Sequence, residues 1–172
     1  MTKQRIKICC LLPVLAILAI LLSGCGKTIT QTTSERAAEK IIEQQTGGQA
    51  KVDVNQGNVK VESKDGNIEV GQNVKLPADF PKDVYVIDGN LVSAFSEPTK
   101  GTFTVSIQTE KSPAQAAAEY QEKLSSDGWK ITGNMNFGGT FSVIAEKDDR
   151  IATAMVSASD NKTTVIISTG KK

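Results

Sequence analysis

Thr102-Phe103-Thr104-Val105-Ser106-Ile107-Gln108-Thr109 alternates polar and apolar side chains without a break. Successive side chains of a strand point to opposite faces, so this stretch reads as a strand with Phe103, Val105 and Ile107 on one face and hydroxyls on the other. Leu91 to Phe95 reads as the strand before it, joined through the turn residues Glu97-Pro98-Thr99-Lys100-Gly101. After Thr109 the period changes. Ser112-Pro113-Ala114-Gln115 opens a helix: serine caps it, proline takes the first helical position, and glutamine stands three residues after the cap. Ala116, Ala117, Tyr120 and Leu124 form its apolar stripe, and Asp127-Gly128 stops it directly before Trp129.

Four more strands follow, Trp129 to Met135, Thr140 to Glu146, Ile151 to Ala158 and Thr163 to Thr169. Gly138-Gly139, Lys147-Asp148-Asp149-Arg150 and Asp160-Asn161 are the turns between them. The expectation for residues 76–172 is a β-β-α-β-β-β-β antiparallel sheet with one covering helix. Thr102, Thr104 and Ser106 leave its other face to water or to a docking partner.

Towards the N-terminus stands Leu76-Pro77-Ala78-Asp79-Phe80-Pro81-Lys82-Asp83-Val84, in which each proline holds the residue before it extended. Leu76 and Phe80 are expected to pack inward and Asp79 and Asp83 to face water. The segment reads as a joint leading into a strand at Val84-Tyr85-Val86-Ile87. Before it, Val52 and Val54, Val59 and Val61, and Ile68 and Val70 recur at period two between Gly57-Asn58 and Asp65-Gly66-Asn67. That is a small antiparallel meander. Residues 34–75 thus form a first part: a short helix carrying Ala37, Ala38, Ile41 and Ile42 and stopped by Gly47-Gly48, then the meander. The fold class is α+β, with the N-terminal helix and meander followed by a separate C-terminal sheet.

The chain opens with Lys3, Arg5 and Lys7, then an uncharged run from Ile8 to Leu22 of 15 residues. A membrane span needs about 20 apolar residues, so this is a secretory leader rather than a permanent helix. Leu22-Ser23-Gly24-Cys25 at its end resembles a bacterial lipobox. The resemblance implies a signal peptide over residues 1–24, cleavage before Cys25, lipidation of the Cys25 sulfur, and a polar tether over residues 25–33. The alternative is a plain N-terminal anchor. Together with Thr46-Gly47-Gly48, the valine-rich hairpins and the Leu76 to Val84 segment, the leader makes the chain resemble a group of uncharacterised bacterial lipoproteins. That resemblance lends no catalytic residue. Gly26 after the lipid-bearing cysteine implies the outer membrane in a two-membrane cell; in a one-membrane cell the place is the outer leaflet of the cytoplasmic membrane.

Composition narrows the chemistry. Without residues 1–24 the chain counts 17 basic against 19 acidic residues, which offers no basic stripe for nucleic acid. It has no histidine, and Cys9 and Cys10 leave with the leader, so the commonest general base, metal ligand and thiol nucleophile are missing. No cofactor, metal site or catalytic residue is expected. Gly26-Lys27-Thr28 lacks the upstream glycine of a phosphate-binding loop. Asp53, Asn55 and Gly57 lack the following Gly and Glu of a calcium loop. Glu35, Glu39 and Glu43 form a solvated helix face, and Asp148 and Asp149 a solvated turn. Trp129 and Tyr120 read as core anchors rather than groove walls, and Gly138-Gly139 as a hairpin turn rather than a gate.

Elimination leaves a non-enzymatic, membrane-anchored binding module for an envelope protein, a glycan or a small apolar ligand between sheet and helix. A structural surface lipoprotein without a discrete site is the second reading. A histidine-independent hydrolase using paired carboxylates is the third.

Overall fold

In a computed structural model, residue 40 and residues 50–172 other than 56 and 73 are described. The lipobox with Cys25 lies outside these residues, as do Glu35, Glu39 and Glu43. So, Lys40 apart, does the helix expected before the meander. Among the described residues no helix is long and apolar enough to cross a membrane.

The described strands are β1 (Ala50–Asn55), β2 (Asn58–Ser63), β3 (Asn67–Val70), β4 (Asn90–Glu97), β5 (Thr102–Thr109), β6 (Lys130–Phe137), β7 (Thr140–Lys147), β8 (Arg150–Ser159) and β9 (Lys162–Lys171). One helix, α1 (Pro113–Ser126), falls between β5 and β6. All the strands join one antiparallel sheet in the order β1-β2-β3-β4-β5-β9-β8-β7-β6. This corrects the expectation of a meander beside a separate sheet preceded by its own helix: β3 pairs with β4 through Asn67↔Ser96, Ile68↔Phe95, Glu69↔Ala94 and Val70↔Ser93. The stretch from Gly71 to Gly89 is an excursion that leaves the sheet and returns to the neighbouring position. Sequence distance hides such a pairing, because two adjacent strands need no short turn between them.

The return is tight. A Cβ on Gly89 would stand 2.3 Å from the Gln108 carbonyl oxygen, so only glycine lets the chain enter β4 this close to β5.

The excursion also corrects the strand expected at Val84 to Ile87, which pairs with no strand. Val84 and Ile87 are instead buried at 3% and 2% exposure. Their backbone is satisfied locally and by side chains: Val84 N donates to Pro81 O, and Ile87 N donates to the Tyr120 hydroxyl at 3.3 Å. Phe80 packs inward as expected, edge-on to Phe103 with centroids 5.7 Å apart, whereas Leu76 is 43% exposed.

α1 begins as its residues dictate. Ser112 and Gln115 form a reciprocal capping box with Pro113 behind the cap, and Ala116, Ala117, Tyr120 and Leu124 are its buried residues. These pack on Val143, Ala145, Ala152, Ala154, Val156, Val165 and Ile167, all fully buried. Call this the inner face of the sheet. α1 covers it over β6 to β9, while the excursion covers β4 and β5 through Phe80, Val84 and Ile87.

Register then defines the outer face. One cross-strand row on it runs Val54, Val59, Val70, Ser93, Ser106, Ile166, Met155, Ser142, Met135. The meander's valines therefore share a face with the hydroxyls of β5, not with Val105. The polar side chains of the meander, Lys60, Glu62 and Glu69, lie on the inner face beyond the reach of α1.

Candidate functional site

That inversion builds the groove we take as the candidate site. On the inner face, Ala94 and Ser96 of β4 are buried at 4% and 5% exposure. Beside them stand Glu69 and Asn67 of β3, in direct register, and then Lys60 and Glu62 of β2. The start of the excursion, Lys75-Leu76-Pro77-Ala78-Asp79, forms the opposite wall, with Pro98 at one end. The space enclosed is about 360 Å³ and is open to solvent. Its two walls differ in chemistry: the excursion presents an apolar strip, Leu76, Pro77 and Ala78, between Lys75 and Asp79, and the sheet presents Lys60, Glu62 and Glu69.

Lys60 Nζ and Glu62 Oε1 form an ion pair at 2.6 Å. The hydrogen bond to Glu62 raises the lysine's pKa, and the hydrogen bond from Lys60 lowers the glutamate's. Glu69, Lys75 and Asp79 also line the groove, and none of them takes part in an ion pair among the described residues. The groove therefore offers both charge signs beside an apolar wall. No aromatic side chain lines it.

A broader depression of about 610 Å³ lies beside the start of α1, near Glu110, Lys111, Ser112, Asp160 and Lys162. It is less apt as an anion seat, because the capping box already satisfies the first N–H groups of the helix and Lys162 is paired with Glu110 at 3.0 Å.

Other residues that the sequence suggested take structural places. Tyr120 is fully buried and burial raises its pKa, with Tyr85 edge-on at 5.2 Å between centroids. Trp129 is 2% exposed and donates from Nε1 to the Asp83 carbonyl at 2.6 Å. Core residues thus fill the space between α1 and the sheet where an apolar ligand was one expectation. Gly138 and Gly139 adopt φ of 58° and 90° in the β6–β7 turn, and Gly139 N donates to Asn136 Oδ1. Asp148 has φ of 54° at the β7–β8 turn, and Asp148 and Asp149 accept no hydrogen bond from their neighbours Lys147 and Arg150. Among the described residues, no three His, Cys, Asp or Glu side chains gather as metal ligands.

Lys147 and Arg150 reach instead to Asp83, which was expected to face water. Arg150 donates from both terminal nitrogens at 3.0 and 2.6 Å, and Lys147 Nζ at 2.9 Å. The Arg150 hydrogen bonds, then that of Lys147, hold the Asp83 carboxyl well below the usual carboxylate range. Arg150 also lies 5.0 Å from the Trp129 ring centroid. A second clasp joins excursion and helix: the Tyr85 hydroxyl donates to Glu119 Oε1 at 2.6 Å, and Lys111 pairs with the other oxygen. The Lys111 hydrogen bond, then that of Tyr85, lowers the Glu119 pKa. These clasps fix the segment that carries the apolar wall of the groove. No local motif announces them, since Asp83 lies 64 and 67 residues from its partners.

Comparison with curated proteins returns no match. A family model described as START domain-like matches residues 91–169, which run from β4 through α1 to β9 and span less than half of the chain. The matched stretch supplies the groove floor at Ala94 and Ser96, while residues outside it supply both walls. In this region the chain is similar to a START-like domain, a likeness in keeping with a ligand-binding module.

Proposed function

We propose that the protein is a membrane-anchored, non-catalytic binding module of the bacterial envelope, and that its ligand seat is the groove between β2–β4 and residues 75–79. The observation that carries the reading is the pairing of an apolar wall, Leu76-Pro77-Ala78, with Glu69 and Lys75. Binding sites are commonly apolar clefts of about 300–1,000 Å³ with a few placed polar groups, and this groove is at the small end of that range. Opposite charges beside an apolar strip suit a small zwitterionic or amphipathic molecule. The want of an aromatic platform speaks against a glycan. Lipidation of Cys25 would hold the seat at the extracytoplasmic surface, since two or more acyl chains anchor stably.

The test has two arms. Mass spectrometry and fractionation of the chain and its Cys25→Ser variant should show acyl mass and membrane residence for the first and neither for the second. Thermal-shift and calorimetric screening of small zwitterions and amphipathic ligands should find binders that a Glu69→Lys, Leu76→Asp variant loses with its melting temperature unchanged. If every binder is indifferent to that variant, the groove is not the seat. If no binder is found, the surface lipoprotein without a discrete site is the better description.

A further inference from the structure

Among the described residues, β6 stands at one end of the strand order and pairs on one side only, with β7. Its other row of N–H and C=O groups faces outward, a template for a further strand. Natural edges are blunted with charge or proline; β6 has one charge, Lys130 at its start, and Ile131-Thr132-Gly133-Asn134-Met135-Asn136-Phe137 after it has neither. β1, at the opposite end, carries Lys51 and Asp53. β6 also bears Phe137, at 71% the most exposed large apolar side chain among the described residues, and Met135 at 39%. The register shift between Ile131 and Gly133 leaves Gly133 to Phe137 as a regular stretch.

We infer that this edge pairs with β6 of a second copy, antiparallel about a two-fold axis at Met135. A two-fold interface must be self-complementary, and centring on Met135 makes it so. Phe137 comes to stand opposite Gly133, and Asn134 opposite Asn136. Gly133 and Phe137 share the outer face, as do their β7 partners Ile144 and Thr140. The ring of one copy therefore covers the glycine of the other. Ile144 already leans over that glycine, its Cδ1 lying 3.2 Å from the place of a Cβ, and supplies an apolar floor. On the inner face amide meets amide. At the axis the two methionines meet, each separated from Met155 and Ile166 of its own sheet by Ser142. No charged side chain falls within the paired stretch, so no like charges oppose each other across it.

The test uses the full chain in detergent, with Met135→Cys and Asn136→Cys variants under mild oxidation, read on non-reducing gels against the wild-type chain and its own cysteines. Directly opposed residues have Cα atoms about 4.5–5.5 Å apart, within disulfide reach. The Met135→Cys chain should give a covalent dimer above the wild-type background. Asn136→Cys should not, because its copies are offset beyond the roughly 7 Å limit. Sedimentation should show a wild-type dimer whose dissociation constant rises about tenfold or more in Met135→Lys, which sets two ammonium groups face to face. Circular dichroism melts report whether that variant stays folded. A wild-type chain that is monomeric throughout, equal cross-linking at 135 and 136, or a dimer indifferent to a folded Met135→Lys variant overturns the inference. So does a β6 edge taken only by a strand of another protein.

Discussion

β3 and β5 are separated by one strand of the same sheet, and both alternate apolar with polar side chains. Val105 of β5 lies on the inner face and is fully buried, whereas Ile68 of β3 lies on the outer face and is 41% exposed. β4 shows how the change occurs. Ala94 pairs with Val105 on one side and with Glu69 on the other, so burial gives way to charge along a single row of the inner face. Phe95 does the reverse, standing between Thr104 and Ile68 on the outer face. Alternation thus fixes parity along each strand but not which face looks inward. The part of the inner face out of reach of α1 is where the groove forms.

The contrast is broken most sharply by paired truncations. Ile167→Ala, on the fully buried inner face, should cost about 2–5 kcal/mol in chemical denaturation, and Ile68→Ala under about 1 kcal/mol, because its side chain is partly in water already. Equal costs would show that the meander's outer face is covered as well as the core is.

A smaller effect is expected at Asp83, whose side chain is 32% exposed. Asp83→Asn should lower stability by about 1 kcal/mol at neutral pH, after allowance for solvent screening. The folded carboxyl titrates below its unfolded value, so its contribution is complete above the unfolded pKa of about 4 and is lost as pH falls through the folded value. Denaturation curves of the two proteins should therefore converge in acid. A difference that persists there would assign the effect to packing of the excursion rather than to charge.

The smallest change is a gain. Thr169 Oγ1 is buried on the inner face with no hydrogen-bond partner among the described residues. Thr169→Val keeps the shape and removes the stranded hydroxyl, so it should stabilise by about 1 kcal/mol, read as a raised melting temperature.

Local chemistry made much of the fold legible. The β5 strand lies where its alternation placed it, and the α1 cap, proline and buried stripe are the residues that its sequence signals named. The hairpin turns at Gly57, Gly138 and Asp160-Asn161 adopt the positive φ that their residues favour. The groove was much less legible. Lys60, Glu62 and Glu69 read as ordinary solvated strand residues, and Leu76 as a core residue. Asp83 gave no signal of Lys147 and Arg150, because a carboxylate two residues after Pro81 carries no mark of a partner more than sixty residues away.

By itself the sequence determined the strands that form, the helix α1, the turns and the absence of histidine, because each depends on short-range sterics, capping or composition. It also suggested a strand at Val84 to Ile87 that does not form. Only the tertiary structure decided that the meander joins the main sheet, that its apolar face turns away from α1, and that the proline-framed excursion lies over β4 and β5. Those outcomes depend on register between strands distant in sequence, and register is settled by the fit of whole faces rather than by any one residue.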